Sequence, residues 1–151
     1  MKRTLYTAAA TVFGLGLIPV APGTFGALAA LPVRAWVTPG SWLLTAAIAV
    51  AVTAAGLYLT RGYLRATHKR GDPSEVVIDE TAGCLIALVF VPATWTWMLV
   101  AFGLFRLFDI WKPGPIGTVD RTVPGAKGIM LDDVLAGLAA GIAGWLLTLV
   151  F

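Results

Sequence analysis

The chain is poor in charge and in the residues that bind soft metals or form covalent cross-links. Asp, Glu, Lys and Arg make up only 13% of its 151 residues, whereas an ordinary soluble domain has about 25%. The single cysteine, Cys84, excludes a disulfide within the chain and any paired-cysteine metal site. The only histidine, His68, lies among basic residues, so the chain has no ligand set for zinc.

Missing motifs exclude further classes of protein. No stretch combines basic and aromatic residues as a nucleic-acid surface does, so we expect no DNA or RNA partner. There is no Cys-x5-Arg loop for a cysteine phosphatase and no histidine pair for phosphohistidine chemistry. An Asp-x-Asp motif after a strand, as in aspartyl-phosphate enzymes, is also absent.

What the chain does contain is apolar sequence. Hydrophobic residues make up 58% of it, and the mean hydropathy is +0.85. We predict a single domain, residues 1–151, folded as an all-α, multi-pass integral membrane bundle. The first helix is expected to be re-entrant or interfacial and to be retained rather than cleaved as a signal peptide. The candidate helices are 4–18, 24–37, 41–60, 79–91, 95–111 and 131–151.

Length separates these helices into classes. A crossing needs about 20 apolar residues, so 41–60 and 131–151 qualify and 95–111 is just long enough. The run 79–91 is short and forms a hairpin with 95–111. The break at 19–23 contains two prolines, and Thr24 is the predicted N-cap of the helix that follows it.

Basic residues predict the orientation. Loops 61–78 and 112–130 carry most of the Lys and Arg residues, whereas the connections near 38–40 and 92–94 carry none. Because Lys and Arg mark cytoplasmic loops, both long loops are expected inside. The acids beside these loops and the Gly23-Thr24 turn then all fall at the cytoplasmic face.

Five of the eight carboxylates stand in three short clusters next to apolar runs. A charge at bilayer depth costs several kcal/mol, so such residues usually serve ion, proton or substrate chemistry. One cluster alone could be explained as helix capping. Hard oxygen ligands in small number suit Mg2+, with water and a substrate phosphate completing its shell. The predicted metal ligands are Asp79, Glu80, Asp109, Asp132 and Asp133.

Glycines are placed to bring two of these clusters together. Gly83 follows Asp79 by four residues and Gly137 follows Asp133 by four, which places each glycine one turn below its acid. Small residues let membrane helices approach closely. We therefore expect the first turns of the two helices to meet.

Cations are spaced to hold an anion near this metal. Arg106, Asp109 and Lys112 recur at intervals of three toward the cytoplasmic end of one helix. Lys112 could instead serve only the helix dipole, and Arg121 could form a loop ion pair with Asp120. The Gly23-Thr24 helix start offers free N–H groups to a phosphate. Together these features indicate hydrolysis of a phosphate on an amphiphile by a metal-activated water.

Five sequence blocks, in order, resemble the motif series of the bacterial phosphatidylglycerophosphatase A family. They are APGTFGALAALP at 21–32, IDETAG at 78–83, FRLFDIWKPGPI at 105–116, DR at 120–121 and GIMLDDVLAG at 128–137. The resemblance implies a magnesium-dependent enzyme of the bacterial inner membrane that converts phosphatidylglycerol phosphate into phosphatidylglycerol and inorganic phosphate. One departure is Gly114, which stands where an aromatic residue is expected.

The expected roles follow from these residues together. Asp79, Glu80 and Arg106 are the predicted catalytic residues, with Glu80 either a metal ligand or the base that orients water. The predicted phosphate-binding residues are Gly23, Thr24, Arg106, Lys112 and Arg121. Membrane lipids surround the protein, and a homo-oligomer is compatible with the sequence.

Two other functions fit this pattern less well. A phosphatidyltransferase would carry a D-x2-D-G-x2-A-R pattern, which is absent. A small cation transporter or channel would place its acids near the bilayer midplane, along a path open to both sides.

Overall fold

The computed structural model describes residues 2–151, and within them every regular element is helical. This confirms the all-α prediction. A 3-10 turn covers Leu15–Leu17 and a π-helical segment covers Val33–Val37. The α-helices are α1 (Lys2–Ala10), α2 (Pro22–Leu28), α3 (Ala30–Pro32), α4 (Trp42–Thr67), α5 (Ile78–Val89), α6 (Trp95–Trp111), α7 (Pro115–Thr122) and α8 (Ala126–Thr148).

Helix α5 is the centre of the bundle and packs against α2, α4, α6 and α8. Its side chains are almost all buried, including the first-turn acid Asp79. We call the end of the bundle at the start of α5 the acid end; the loop 68–77 and helix α7 lie there. The opposite end, at the connections 38–41 and 90–94, is the far end.

The predicted close approach of two acid-bearing helices is confirmed. A Cβ atom on Gly83 would lie 2.6 Å from the backbone oxygen of Asp133, and one on Gly137 would collide with the backbone oxygen of Gly83. Real Cβ atoms do not approach oxygen so closely, so only glycine fits at either position. The backbones of α5 and α8 therefore touch one turn beyond the acids.

The predicted helix 4–18 is wrong beyond Ala10. Val12, Phe13 and Gly14 all have positive φ, a conformation that ends a right-handed helix. At nine residues, α1 is about 14 Å long and too short to cross a bilayer. It stays at the acid end, where the Ala10 carbonyl accepts a 2.9 Å hydrogen bond from the Val77 N–H.

The predicted helix 24–37 begins earlier and is interrupted. Its first part, α2, starts at Pro22 with Ala21 as the N-cap, so Thr24 lies inside the first turn and the N-cap prediction is wrong. The helix breaks at Ala29 and continues into the π-helical segment. Pro32 contributes to this irregularity because it has no N–H to donate to the preceding turn.

The region 112–130, predicted as a loop, contains α7 and the first turn of α8. Because α8 begins at Ala126, Asp132 and Asp133 lie in its second turn rather than its first. Helix α4 is also longer than predicted and continues to Thr67. The bounds predicted for α6, 95–111, are confirmed.

Two helices in the described chain, Trp42–Thr67 and Ala126–Thr148, are long and apolar enough to cross a membrane. Exposed tryptophans mark both ends of α6, with Trp95 55% and Trp111 69% exposed. These two residues are about 24 Å apart along the helix axis. Exposed tryptophans at both ends of an apolar helix are typical of interfacial aromatic belts.

Candidate active site

Three of the five predicted metal ligands form a compact cluster, which we call the acid triad: Asp79, Glu80 and Asp133. Each offers a carboxylate oxygen, and these oxygens all lie within 4.8 Å of one another. Asp79 and Asp133 are only 4% and 3% exposed. The arrangement follows from the glycine contact, because it brings the first turn of α5 against the second turn of α8.

A fourth acid and a cation border the triad from α6. The Asp109 carboxyl group lies close enough to Asp133 and Glu80 for their charges to interact. The Arg106 Nη1 atom donates to the Asp109 carboxylate across one helical turn. This ion pair leaves Arg106 Nε buried and without a hydrogen-bond partner in the described chain. Arg106 therefore keeps a free donor beside the acids.

Helix α2 covers the triad from the other side. A Cβ atom on Gly23 would collide with the Glu80 Oε1 atom and would lie 3.2 Å from Arg106 Nη1. The Thr81 hydroxyl donates a 2.7 Å hydrogen bond to the Gly26 carbonyl and ties α2 to α5. The backbone at Gly23 is thus held against two charged side chains, with Thr24 next to it.

Asp132 points to a different partner from Asp133. Its carboxylate accepts a hydrogen bond from Lys112 Nζ, and the same Nζ lies 2.6 Å from Asp120 Oδ1. Lys112 can reach both because it ends α6 in a left-handed conformation, with φ of 48°. Burial opposes the charged amine, but the bonds to Asp120 and Asp132 raise the pKa of Lys112 above its ordinary value.

A cavity of about 290 Å3 adjoins this lysine bridge and is lined by Asp72, Asp120 and Arg121. Asp72 has solvent contact, yet loss of hydration in this crowded region and the nearby Asp132 carboxylate raise its pKa to about 6. Arg121 forms no ion pair within residues 2–151. The predicted alternative of an Asp120–Arg121 ion pair is wrong, since Asp120 pairs with Lys112.

Several buried polar atoms at the site have no partner among the described residues. They are Asp79 Oδ1, Glu80 Oε2, Asp132 Oδ1 and Arg106 Nε. An unpaired buried acceptor or donor costs about 1–3 kcal/mol, more when it is charged. The three carboxylate oxygens are acceptors that suit a cation, and Arg106 Nε is a donor that suits an anion. Hard oxygen donors of this kind fit Mg2+.

The structure thus gathers the predicted residues into two neighbouring groups. Asp79, Glu80, Asp133, Asp109, Arg106 and Gly23 surround the triad, whereas Asp132, Lys112 and Arg121 belong to the lysine bridge and its cavity. Asp72 was missed. The sequence argument that grouped the other acids, their position next to an apolar helix, applies to Asp72 as well, because its loop joins α4 to the acid-bearing start of α5.

Comparison with known proteins shows which chains this one is similar to over most of its length. The family model described as phosphatidylglycerophosphatase A matches residues 8–148. The Escherichia coli protein named phosphatidylglycerophosphatase A is 40% identical over 134 residues, which cover 86% of this chain and 76% of the relative. The Haemophilus influenzae protein of the same name is 41% identical over 137 residues, covering 86% and 80%.

A third relative has a different name. A Bacteroides thetaiotaomicron protein, named provisionally as a phosphatidylinositol-3-phosphatase, is 39% identical over 151 residues. The match covers 91% of this chain and 92% of the relative. No solved structure matches the chain.

Proposed function

Because this chain belongs to the phosphatidylglycerophosphatase A family and is a phosphatase, we propose that it uses Mg2+ to hydrolyse phosphatidylglycerol phosphate at the cytoplasmic face of the bacterial inner membrane. The products are phosphatidylglycerol and inorganic phosphate. The observation that carries the proposal is the acid triad with its unpaired buried oxygens, next to an arginine that keeps a free donor.

Asp79, Glu80 and Asp133 are the residues that hold Mg2+, with Asp109 adjoining them. Three carboxylates within 4.8 Å of one another repel each other unless a cation is present, so the cluster fits the ion. When bound, Mg2+ supplies a more acidic water and offsets charge on phosphate oxygens. Asp132 is one residue away and contributes through its bridge to Lys112.

Arg106 holds the substrate phosphate. Its pairing with Asp109 fixes the guanidinium, and the free Nε is a donor for a phosphate oxygen. A fixed cation aimed at oxygens that gain charge stabilises the transition state more than the ground state. The Gly23-Thr24 backbone, held against Glu80 and Arg106, contributes the neighbouring contacts to the same phosphate.

Glu80 has the environment of a base that orients water. Its Oε1 atom lies against Gly23, where an added Cβ atom would collide with it, and its Oε2 atom is buried without a partner in the described chain. As the alternative to holding the ion, this free oxygen of Glu80 can accept a proton from an attacking water. Lys112, held by two acids, adds positive charge on the side of the cavity.

The membrane arrangement supports a lipid substrate. Helices α4 and α8 are long and apolar enough to cross a bilayer, and exposed apolar side chains such as Leu99, Leu107 and Ile142 cover the bundle. The acids meet at one end of the bundle, beside the basic loops, which is the cytoplasmic side by charge. A transporter would need its acids near the midplane, so the enzyme is favoured.

A second candidate substrate is a phosphorylated inositol lipid. The Bacteroides relative favours it, since that match covers nearly the whole of both chains. Both substrates carry a phosphate monoester on a polyol that is itself joined to a lipid by a phosphodiester. The acid triad and Arg106 would contact the phosphate monoester of either lipid in the same way. Recognition of the polyol must therefore distinguish the two substrates.

Phosphate release by the purified protein in detergent tests the proposal. We expect release from phosphatidylglycerol phosphate that stops with a chelator and returns with Mg2+, and slower release from phosphatidylinositol 3-phosphate. Release that is unaffected by chelation would exclude the metal. Faster release from the inositol lipid would make that lipid, rather than phosphatidylglycerol phosphate, the preferred substrate.

Single cysteines test the orientation. Ser74→Cys at the acid end and Gly40→Cys at the far end are both at exposed positions, whereas native Cys84 is fully buried. A membrane-impermeant maleimide should label Gly40→Cys in intact cells and Ser74→Cys only after permeabilisation. The reverse pattern would place the active site outside.

A further inference from the structure

The cavity beside the lysine bridge is separate from the acid triad but connected to it. It lies between the loop after α4, the end of α7 and the turn into α8. Lys112 Nζ joins Asp120, on the cavity wall, to Asp132, whose neighbour in sequence is the triad member Asp133. A headgroup whose phosphate sits at the triad can therefore extend toward this cavity.

The wall of the cavity carries opposite charges that do not neutralise each other. Asp72 and Arg121 both line it, and neither forms an ion pair within the described chain, residues 2–151. Asp120 also lines it but is already held by Lys112. An unpaired carboxylate offers only acceptors, and an unpaired guanidinium offers only donors. A ligand with hydroxyl groups and an anionic oxygen matches both.

The size of the cavity also limits the ligand. About 290 Å3 is at the lower end of small-molecule sites, which are roughly 300–1,000 Å3. Glycine, proline and aliphatic residues form most of the remaining wall, so the polar contacts are few and specific. The space suits a short polyol and is unsuited to an acyl chain, which would lose contact with lipid beside charged groups.

We propose that this cavity is the binding site for the headgroup polyol, where Asp72 accepts a hydrogen bond from a hydroxyl group and Arg121 donates to the phosphodiester that joins the polyol to the lipid. This rests on the proposed phosphatase function, since the scissile phosphate must sit at the triad. Asp72 and Arg121 then determine which lipid is chosen, whereas the triad and Arg106 act on any monoester placed before them.

The polyol can be the glycerol of phosphatidylglycerol phosphate or the inositol of a phosphorylated inositol lipid. The two share hydroxyl groups flanked by a phosphodiester, and they differ in size and in the number of hydroxyls. The test therefore compares the wild-type KM for the two phosphorylated lipids, the lower value identifying the polyol, and adds phosphatidic acid, whose phosphate monoester is attached to diacylglycerol without any polyol.

Binding of the product, phosphatidylglycerol, gives a measurement that needs no catalysis. Displacement of a fluorescent phosphatidylglycerol from wild-type protein in detergent by the unlabelled lipid yields Kd. We expect Asp72→Asn and Arg121→Gln each to raise this Kd about tenfold, the loss of one good hydrogen bond to a charged group. Diacylglycerol, which lacks the headgroup, should compete equally weakly with all variants.

Matched controls are available in the same loop. Glu75→Gln removes an acid that is held by Lys69 and Tyr63 and does not line the cavity. Arg70→Gln removes an exposed cation close to Asp72. Both should keep the wild-type Kd for phosphatidylglycerol. If they weaken binding as much as Asp72→Asn does, general surface charge explains the effect and the cavity assignment is overturned.

Kinetics then separates headgroup selection from chemistry. For phosphatidylglycerol phosphate, Asp72→Asn should raise KM about tenfold with kcat within twofold, while kcat/KM for phosphatidic acid stays within twofold. Equal losses of kcat/KM on both substrates would show that Asp72 acts at the reacting phosphate and not at the polyol. Unchanged KM and Kd would overturn the proposal. If wild-type protein releases no phosphate from any lipid, the phosphatase function fails, while the Kd series still decides the cavity.

Discussion

The two ends of α5 bury charge in opposite ways. At the far end, Arg34 is only 4% exposed, and its Nε, Nη1 and Nη2 atoms donate to the carbonyls of Leu88, Thr38 and Val91. At the acid end, the buried groups keep unpaired oxygens, and Arg106 keeps an unpaired Nε. A buried arginine with all its donors paired serves the structure, whereas buried acids with unpaired oxygens are typical of functional sites.

The far end shows what a purely structural polar network looks like in this protein. The Thr45 hydroxyl donates a 2.8 Å hydrogen bond to the Thr38 hydroxyl. The Thr38 carbonyl in turn accepts from Arg34. Through its bonds to the Leu88 and Val91 carbonyls, Arg34 caps the end of α5, where the last carbonyls have no partner within the helix. The network closes on itself and leaves no group for a ligand.

Removing charge from the acid triad should have the largest effect on activity. Asp79→Asn and Asp133→Asn should each lower kcat by about a thousandfold, at the upper end of the effect of one preorganised electrostatic group. Their folded state should be kept, because removing one of several crowded like charges relieves repulsion. Thermal unfolding and phosphate release with a magnesium titration measure both quantities.

Glu75→Gln is the control for the triad variants, since that acid pairs with Lys69 outside the triad. It should retain activity within about twofold, as expected for a pair with little energetic weight. Activity within tenfold of wild type in both triad variants would contradict the metal assignment.

The opposite behaviour is expected for Arg34. Arg34→Gln leaves buried carbonyls of Leu88 and Val91 without donors, and each such group costs about 1–3 kcal/mol. We expect a destabilisation of about 3 kcal/mol, which lowers Tm by roughly 6–12 °C for a chain of this size. The folded fraction should keep wild-type kcat/KM. The exposed Arg65→Gln serves as control, and a large loss of activity without a change in Tm would make Arg34 functional.

Arg106 combines both kinds of behaviour, because one of its nitrogens pairs with Asp109 while its Nε is buried without a partner in the described chain. Arg106→Gln should lower kcat/KM about a hundredfold, because the phosphate loses a fixed cation. Arg106→Lys should recover only part of this, since an ammonium replaces a planar fork. If saturating magnesium restores Arg106→Gln to the wild-type rate, Arg106 only balances Asp109 and belongs to the structural class.

The smallest effect is expected at Gly23. A Cβ atom in Gly23→Ala displaces the end of the flexible Glu80 side chain rather than backbone, so stability should change by less than about 1 kcal/mol. The displaced carboxylate should lower kcat/KM about tenfold. Gly40→Ala is the matched control, since nothing lies within 4 Å of its added Cβ. Equal activity of the two variants would show that the contact has no role.

Much of this arrangement could be predicted, because it follows from local and long-range patterns that a sequence contains. The distribution of Lys and Arg predicted that the acids meet at one end of the bundle. The spacing of Gly83 from Asp79 predicted its contact with α8, and the length of the apolar run predicted the bounds of α6. The bridge from Lys112 to Asp120 and Asp132 could not be predicted in the same way. It depends on the left-handed end of α6, which turns Lys112 back toward Asp120 and Asp132.

The N-terminal region shows the other limit of prediction. Residues 4–18 have the apolar composition of one helix, but three consecutive residues with positive φ divide them after Ala10. Two of the three, Val12 and Phe13, are residue types that seldom adopt this conformation. Tertiary contacts, such as the bond between Ala10 and Val77, overrode the local preference.

The glycine contact between α5 and α8 makes the distance between the triad's helices a fixed dimension. Backbone touches backbone at Gly83 and Gly137, so no side-chain repacking can bring the two helices closer together. A larger ion such as Ca2+, with ligands at 2.3–2.6 Å instead of the 2.0–2.1 Å of Mg2+, would require the helices to separate and lose this contact. We therefore predict that the metal selectivity of the proposed site depends on the length of its acids, and that Asp79→Glu changes it.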